Sequence, residues 1–152
     1  MDDCKIRTAG LDDVAAVLAF WTAAAEGTSI TDDPDGVALL ITRDPGALLI
    51  AEAPDGGIAG TLIAGFDGWR CSLYRLAVDP ALRRRGIARL LLAAAEDRFA
   101  ELGGRRLDAM VLDRNEAGRA TWAAAGYTPD DSWTRWTRTL RPAAPAEARH
   151  AR

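Results

Sequence analysis

At 152 residues, 49% of them hydrophobic, the chain is sized for one domain around a single core. No apolar run approaches the ~18 residues that would cross a membrane, and the acidic start Met1-Asp2-Asp3-Cys4-Lys5 leads into no signal-peptide pattern, so a cytoplasmic location is expected. Two cysteines without ligand spacing exclude a disulfide framework, a net charge of −3 argues against a general nucleic-acid binder, and the only histidine, His150, sits in a tail (141–152) expected to be disordered, which leaves no histidine-bound metal.

The first expected strand is Lys5–Thr8. Leu11-Asp12-Asp13 then opens a helix to about Ala25, because Val14, Val17, Leu18 and Trp21 recur at helical spacing. A polar connector over 27–36 precedes a second short helix over 37–42, which Pro45-Gly46 ends. An antiparallel meander of three strands follows. Residues 47–53 are apolar, Asp55-Gly56-Gly57 turns the chain into Ile58–Phe66, and Asp67-Gly68 turns it again into a strand ending at Val78. From 87 to 102, apolar residues at 87, 90, 91, 94, 95, 99 and 102 make a one-sided helix, capped by Gly103-Gly104. Residues 106–112 read as a strand, and 116–125 as a shorter helix ended by Gly126. Residues 133–140 read as a last strand, alternating Trp133, Arg135, Thr137 and Thr139 against Thr134, Trp136, Arg138 and Leu140. No repeat or linker divides this order, and 1–140 is expected to be one domain.

Between the strand ending at Val78 and the helix from Ile87 lies an arginine- and glycine-bearing loop. Backbone N–H groups at a helix start lack intrahelical partners and carry the positive end of the dipole. A loop that bares them beside Arg83, Arg84, Arg85 and Arg89 suits a pyrophosphate. Gly86 keeps a Cβ out of its path. The order of strand, Arg83-x-x-Gly86-x-Ala88 and helix resembles motif A of the GCN5-related N-acetyltransferases, over about Lys5 to Leu140.

The resemblance implies an α/β (α+β) fold, with a mixed, mostly antiparallel sheet of six to seven strands flanked by four helices. It implies acetyl-CoA as cosubstrate, no metal, and direct transfer of acetyl to a primary amine of a small molecule, a protein lysine or an N-terminus. The hairpin Gly65-Phe66-Asp67-Gly68-Trp69-Arg70 is similar to one in a small bacterial acetyltransferase subfamily, which reads Gly-Tyr-Asp-Gly-His-Arg. Asp67 and Arg70 thereby become candidates for touching the acceptor, beside the plain reading of a tight type I′ turn.

By the same resemblance, Arg84, Arg85, Gly86, Ile87, Ala88 and Arg89 hold the pyrophosphate, mostly through N–H groups, with Arg83 at the first motif position. The backbone of Leu76, Ala77 and Val78 pairs with the pantetheine arm, and an N–H near Val78 polarises the thioester carbonyl. Asn115, seven residues before Trp122, matches a second signature closed by Gly126-Tyr127. Asn115 is expected either to bond the coenzyme arm or to cap a helix.

Trp122 departs from the family, which often places a Tyr there as general acid. An indole N–H does not release its proton usefully, so turnover is expected to be slowed, with Tyr74 or water as donor. Trp122 itself stands either beside the leaving sulfur or in the core. No general base is marked; Glu26, Asp32, Asp33 and Asp108 are the acidic candidates. Cys71 has no histidine to activate it, which argues against a covalent route. A closed pocket lined by Trp21, Trp69 and Trp133 would select a small molecule, and an open acidic groove a peptide. The rival expectation is a catalytically weakened acyl-CoA-binding module. A homodimer through the last strand, anchored by Trp133 and Trp136, is also expected.

Overall fold

Five strands form one sheet in chain order: β1 (Lys5–Thr8), β2 (Leu48–Glu52), β3 (Ile58–Phe66), β4 (Cys71–Val78) and β5 (Leu107–Ala109). The computed structural model describes residues 3–27 and 29–140. Strands β1 to β4 run antiparallel, and β5 joins β4 in parallel. Helices α1 (Val14–Ala24) and α2 (Pro34–Arg43) cover one face. Helix α3 (Ile87–Leu102) covers the other, joined there by α4 (Glu116–Ala124) through Trp122.

Side-chain alternation along β2 fits this sandwiching. Leu48 and Ile50 pack with Val17, Val37 and Ile41 beneath α1 and α2, while Leu49 and Ala51 pack with Leu62, Leu91 and Phe99 beneath α3. Gly60 of β3 allows α3 to settle closely. A Cβ there would lie 3.0 Å from Ile87 Cγ2 and 3.0 Å from Leu91 Cδ1.

Helix α3 keeps the expected bounds, and Gly103 ends it with φ +88°. Helix α2 starts earlier than expected, at Pro34 rather than Val37. The Asp33 carboxylate accepts the Gly36 N–H at 2.7 Å and Pro34 occupies the first turn, where a missing N–H is harmless.

Four expectations need correction. The sheet has five strands rather than six or seven. Residues 133–140 form no strand; they are exposed and irregular. The strand expected over 106–112 is only Leu107–Ala109, because β4 faces it only from Cys71 to Leu73. The β3–β4 connection is not type I′: only Gly68 has a positive φ, +95°, and Asp67 instead accepts the Trp69 and Arg70 N–H groups at 2.8 and 2.6 Å. Those bonds hold the exposed Asp67 carboxyl below its ordinary pKa. The tail over 141–152 lies outside the described residues.

Candidate active site

Past Leu73 and Ala109, β4 and β5 stop pairing and separate. The wedge between them holds a cavity of about 80 Å³, walled by Glu26, Tyr74, Leu76, Met110, Asn115 and Trp122 among others. The Asp79 N–H donates to the Ala59 carbonyl at 2.9 Å, and Ala77 stands opposite Thr61. Antiparallel alternation therefore turns the amides of Asp79 and Ala77 towards β3, and those of Leu76 and Val78 towards the wedge.

A bulge in β4 makes this arrangement. From Thr61 to Ile63 β3 advances two residues while β4 runs through three, from Ala77 back to Tyr74, and Arg75 sits at φ +54°. The extra residue reverses the faces of the strand. Cys71 and Leu73 pack beneath α3, whereas Ala77 packs beneath α1 and α2. Fully buried Thr61 fixes the bulge by donating to the Arg75 carbonyl at 3.0 Å and accepting from Trp21 Nε1 at 2.9 Å.

The Arg75 side chain then reaches the α1–α2 connection. Its guanidinium pairs with Asp32 (Nε to Oδ1 3.2 Å, with Nη2 on Oδ2) and donates to the Glu26 and Gly27 carbonyls, each at 3.3 Å. It also lies 5.6 Å above the Trp21 ring. These contacts hold Glu26 in the wall of the wedge. No local pattern marks Arg75 for this role, since its partners are 43 to 49 residues away.

At the open end of β4, the Asp79 carboxylate accepts the Ala81 N–H at 2.9 Å and starts a short 3₁₀ turn, Pro80–Leu82. Arg84 (φ +64°) and Gly86 (φ +82°) then bend the loop into α3. A Cβ on Gly86 would meet no atom within 4 Å, so the left-handed backbone, not crowding within the chain, calls for glycine. The Leu90 N–H bonds to the Gly86 carbonyl at 3.0 Å and no side chain caps the helix. The N–H groups of Ile87, Ala88 and Arg89 consequently point out of the helix start without intrahelical acceptors. Arg83, Arg84, Arg85 and Arg89 stand exposed around them, and none makes an ion pair among the described residues. The buried Ile87 side chain anchors this turn to the core.

Asn115 caps α4, its Oδ1 accepting the Gly118 N–H at 2.9 Å, and also borders the wedge. The cap occupies Oδ1 alone, so the two readings of Asn115 are compatible. Trp122 belongs to the core beneath α3, meeting Tyr127 edge-to-face at 4.9 Å, and still reaches the wedge wall. Tyr74 enters the wedge from the α1 side, because it alternates with Leu73. Tyr127 donates to Glu96 at 2.9 Å; burial and that bond push its pKa up, so it stays a neutral structural group.

Other candidates lie elsewhere. Asp33 caps α2, and Asp108 is exposed 3.6 Å from Arg106. Asp67 and Arg70 stand at the closed end of the wedge and do not line its cavity. The three-tryptophan pocket does not form: Trp21 is buried, Trp69 is exposed 4.7 Å from the Arg70 guanidinium, and Trp133 is exposed. A larger, mostly apolar hollow of about 300 Å³ lies between the start of α3 and the β2–β3 turn, touching Cys4, Ala53 and Ile87. It does not open between β4 and β5.

The sequence profile of the Acetyltransferase (GNAT) family matches residues 16–127. An acetyltransferase of Pectobacterium atrosepticum is 33% identical over 113 residues, covering 74% of this chain and 79% of that protein. Among solved structures, an aminoglycoside 6′-N-acetyltransferase from Acinetobacter haemolyticus aligns with a TM-score of 0.72 at 17% identity, covering 90% of this chain and 99% of its own. The Escherichia coli ribosomal-protein-S18-alanine N-acetyltransferase aligns with a TM-score of 0.65 at 21% identity, covering 81% and 76%. A matched profile that spans most of the chain, on a sheet split where β4 meets β5, places the chain in the acetyltransferase (GNAT) family, with acetyl-CoA as its acetyl donor.

Proposed function

We propose that this chain transfers acetyl from acetyl-CoA directly to the primary amine of an extended acceptor, a protein N-terminus or lysine. The observation that carries the reading is the β4–β5 wedge, with the Arg75 bulge along its wall and the bared start of α3 at its mouth. The N–H groups of Gly86, Ile87, Ala88 and Arg89, with Arg83, Arg84 and Arg85 around them, take the pyrophosphate. The backbone of Leu76, Ala77 and Val78 flanks the pantetheine arm where β5 has left the edge of β4 open, and the Asn115 amide donates to that arm.

In the transfer, the amine nitrogen bonds to the acetyl carbon as the carbon–sulfur bond breaks. The Val78 N–H stabilises the charge that develops on the carbonyl oxygen. Glu26 accepts the surplus amine proton, and Tyr74 returns a proton to the sulfur, so the two transfers balance. Trp122 contributes an N–H donor without ionising.

An extended acceptor is favoured because Trp21, Trp69 and Trp133 do not close a pocket and Glu26 stands in the wedge wall. An α-amino group, with a pKa of about 8, also reaches its neutral form more readily than a lysine near 10.4. Trp122 in place of the family's Tyr supports a second reading, a catalytically weakened acyl-CoA-binding module.

Calorimetric titration of acetyl-CoA into the wild type and Gly86→Glu tests the coenzyme site. A Glu there needs a left-handed backbone and carries a negative charge towards the phosphates, so binding by the wild type is expected to vanish in the variant. Failure of the folded wild type to bind overturns both readings. Transfer assays on N-terminal peptides and on small polyamines then separate the acceptors. Binding without any transfer selects the second reading.

A further inference from the structure

The larger hollow, about 300 Å³, has no part in the transfer described above. It lies where the β2–β3 turn faces the first turn of α3. Cys4, Ala53, Pro54, Leu82 and Ile87 give it apolar walls. Ile87 is buried, and Cys4, Ala53 and Leu82 are half-buried against the core beneath α3, so these walls are anchored. Two charged residues complete the lining. The Arg85 guanidinium is exposed and makes no ion pair among the described residues. Asp55 shapes the turn by accepting the Gly57 N–H at 2.8 Å on Oδ1, which occupies one carboxylate oxygen.

Small-molecule pockets begin at roughly 300 Å³ and are mostly apolar with a few polar groups, so the hollow has the size and character of one. Its place indicates the ligand. The sheet order puts β5 on one side of β4 and β3 with β2 on the other. The loop that leaves β4 therefore stands between the wedge and the hollow. Ile87 belongs to both surroundings: its side chain walls the hollow, and its N–H is among those that point out of the start of α3. A diphosphate held at that helix start has a way into the wedge for one end and a way into the hollow for the other. Acetyl-CoA has this construction. Its pantetheine arm leaves one end of the diphosphate, and a flat, neutral base on a phosphorylated ribose leaves the other.

We infer that the hollow seats the adenine of acetyl-CoA. The inference rests on the pyrophosphate position proposed above. The base exchanges water for the carbon of Ala53, Pro54, Leu82 and Ile87, its exocyclic amine donates to the Asp55 carboxylate, and Arg85 reaches from the hollow to the phosphates. Asp55 also settles which part enters, because a carboxylate beside the turn repels the ribose phosphate and accepts an N–H.

Cys4 reports on the hollow directly. The other cysteine, Cys71, is fully buried, so iodoacetamide added to the folded chain reads Cys4. Saturating acetyl-CoA, with binding followed by calorimetry, is expected to block that alkylation. Adenosine 3′,5′-bisphosphate, the nucleotide part alone, is expected to block it as well. Acetyl-phosphopantetheine, which has the arm without the adenosine, is expected to leave the rate unchanged. Ala53→Trp fills the hollow with a ring of the chain's own. It is expected to weaken acetyl-CoA binding by about tenfold or more, the worth of burying one aromatic group, while acetyl-phosphopantetheine binds as to the wild type. A wild type that binds acetyl-CoA while Cys4 alkylates at its unliganded rate overturns the inference and leaves the coenzyme reading standing. Protection by acetyl-phosphopantetheine also overturns it, as does a folded Ala53→Trp that keeps full affinity for acetyl-CoA or loses both ligands equally. If Ala53→Trp does not fold, the protection of Cys4 decides alone. A folded wild type that binds no acetyl-CoA overturns the coenzyme reading and this inference together.

Discussion

Arg75 occupies a backbone region that L-residues enter at a cost of about 1–2 kcal/mol, and groups from three other segments hold it there. Its carbonyl is fixed by Thr61 and its guanidinium by Asp32, with the Trp21 indole bonded to Thr61. Arg75→Ala is expected to release the Glu26 loop, raising the acceptor KM about tenfold, the equivalent of one charge-assisted hydrogen bond, while calorimetric binding of acetyl-CoA is unchanged. Thr61→Val keeps the shape but strands the Trp21 N–H and the Arg75 carbonyl in the core. Denaturant titration is expected to show a loss of about 1–3 kcal/mol. Tyr74→Phe removes the proposed proton donor, and kcat is expected to fall by about 10²-fold or more, with the KM for acetyl-CoA little changed. At this scale the uncapped start of α3 and the exposed arginines before it were legible, because helix-start chemistry depends on neighbours within a turn. Arg75 was not, because its conformation follows from strand register.

The elements owe their placement to caps and close approaches. At the end of the 3₁₀ turn Leu11–Asp13 that precedes α1, Asp13 accepts two bonds from Arg7, each 2.9 Å, and one from the Gly10 N–H at 2.8 Å. Arg7 is the main cause of the lowered Asp13 pKa. A depressed carboxyl binds its proton more weakly folded than unfolded, so its stabilisation is complete above the unfolded value, about 3.9, and disappears as pH falls through the folded one. Stability measured against pH should show the gap between wild type and Asp13→Asn constant at neutral pH and shrinking with acid below about pH 4. In β3, Gly60→Ala forces α3 away from the sheet at Ile87 and Leu91. Overpacking of this kind costs about 1–3 kcal/mol, and because Ile87 anchors the loop, calorimetry should show weaker acetyl-CoA binding as well. The periodic α3 was readable because sixteen residues repeat one face. The start of α2 was missed because Asp33 and Pro34 look like connector residues until the cap they make is seen.

The molecule works through a sheet that is deliberately incomplete. Parallel pairing of β5 for only three residues leaves the β4 edge open at Leu76 and Val78, and the bulge sets which groups face the gap. The same short β5 leaves an outer edge free, and the arm over 133–140 is the one strand-patterned described segment without a place in the sheet.

Local matters belonged to the sequence by itself: the long helix, the bared helix start with its arginines, the meander and the family. Each rests on contacts within a few residues or on a pattern repeated along one element. The tertiary structure alone decided the bulge, the Arg75–Asp32 pair across 43 residues, the Trp21–Thr61 bond across 40, and the exposed state of the arm. The physical reason is hydrogen bonding. Alternation shows that a segment can form a strand, but a strand's backbone groups are satisfied by distant chain, so its register, its length and its very existence depend on which edge reaches it.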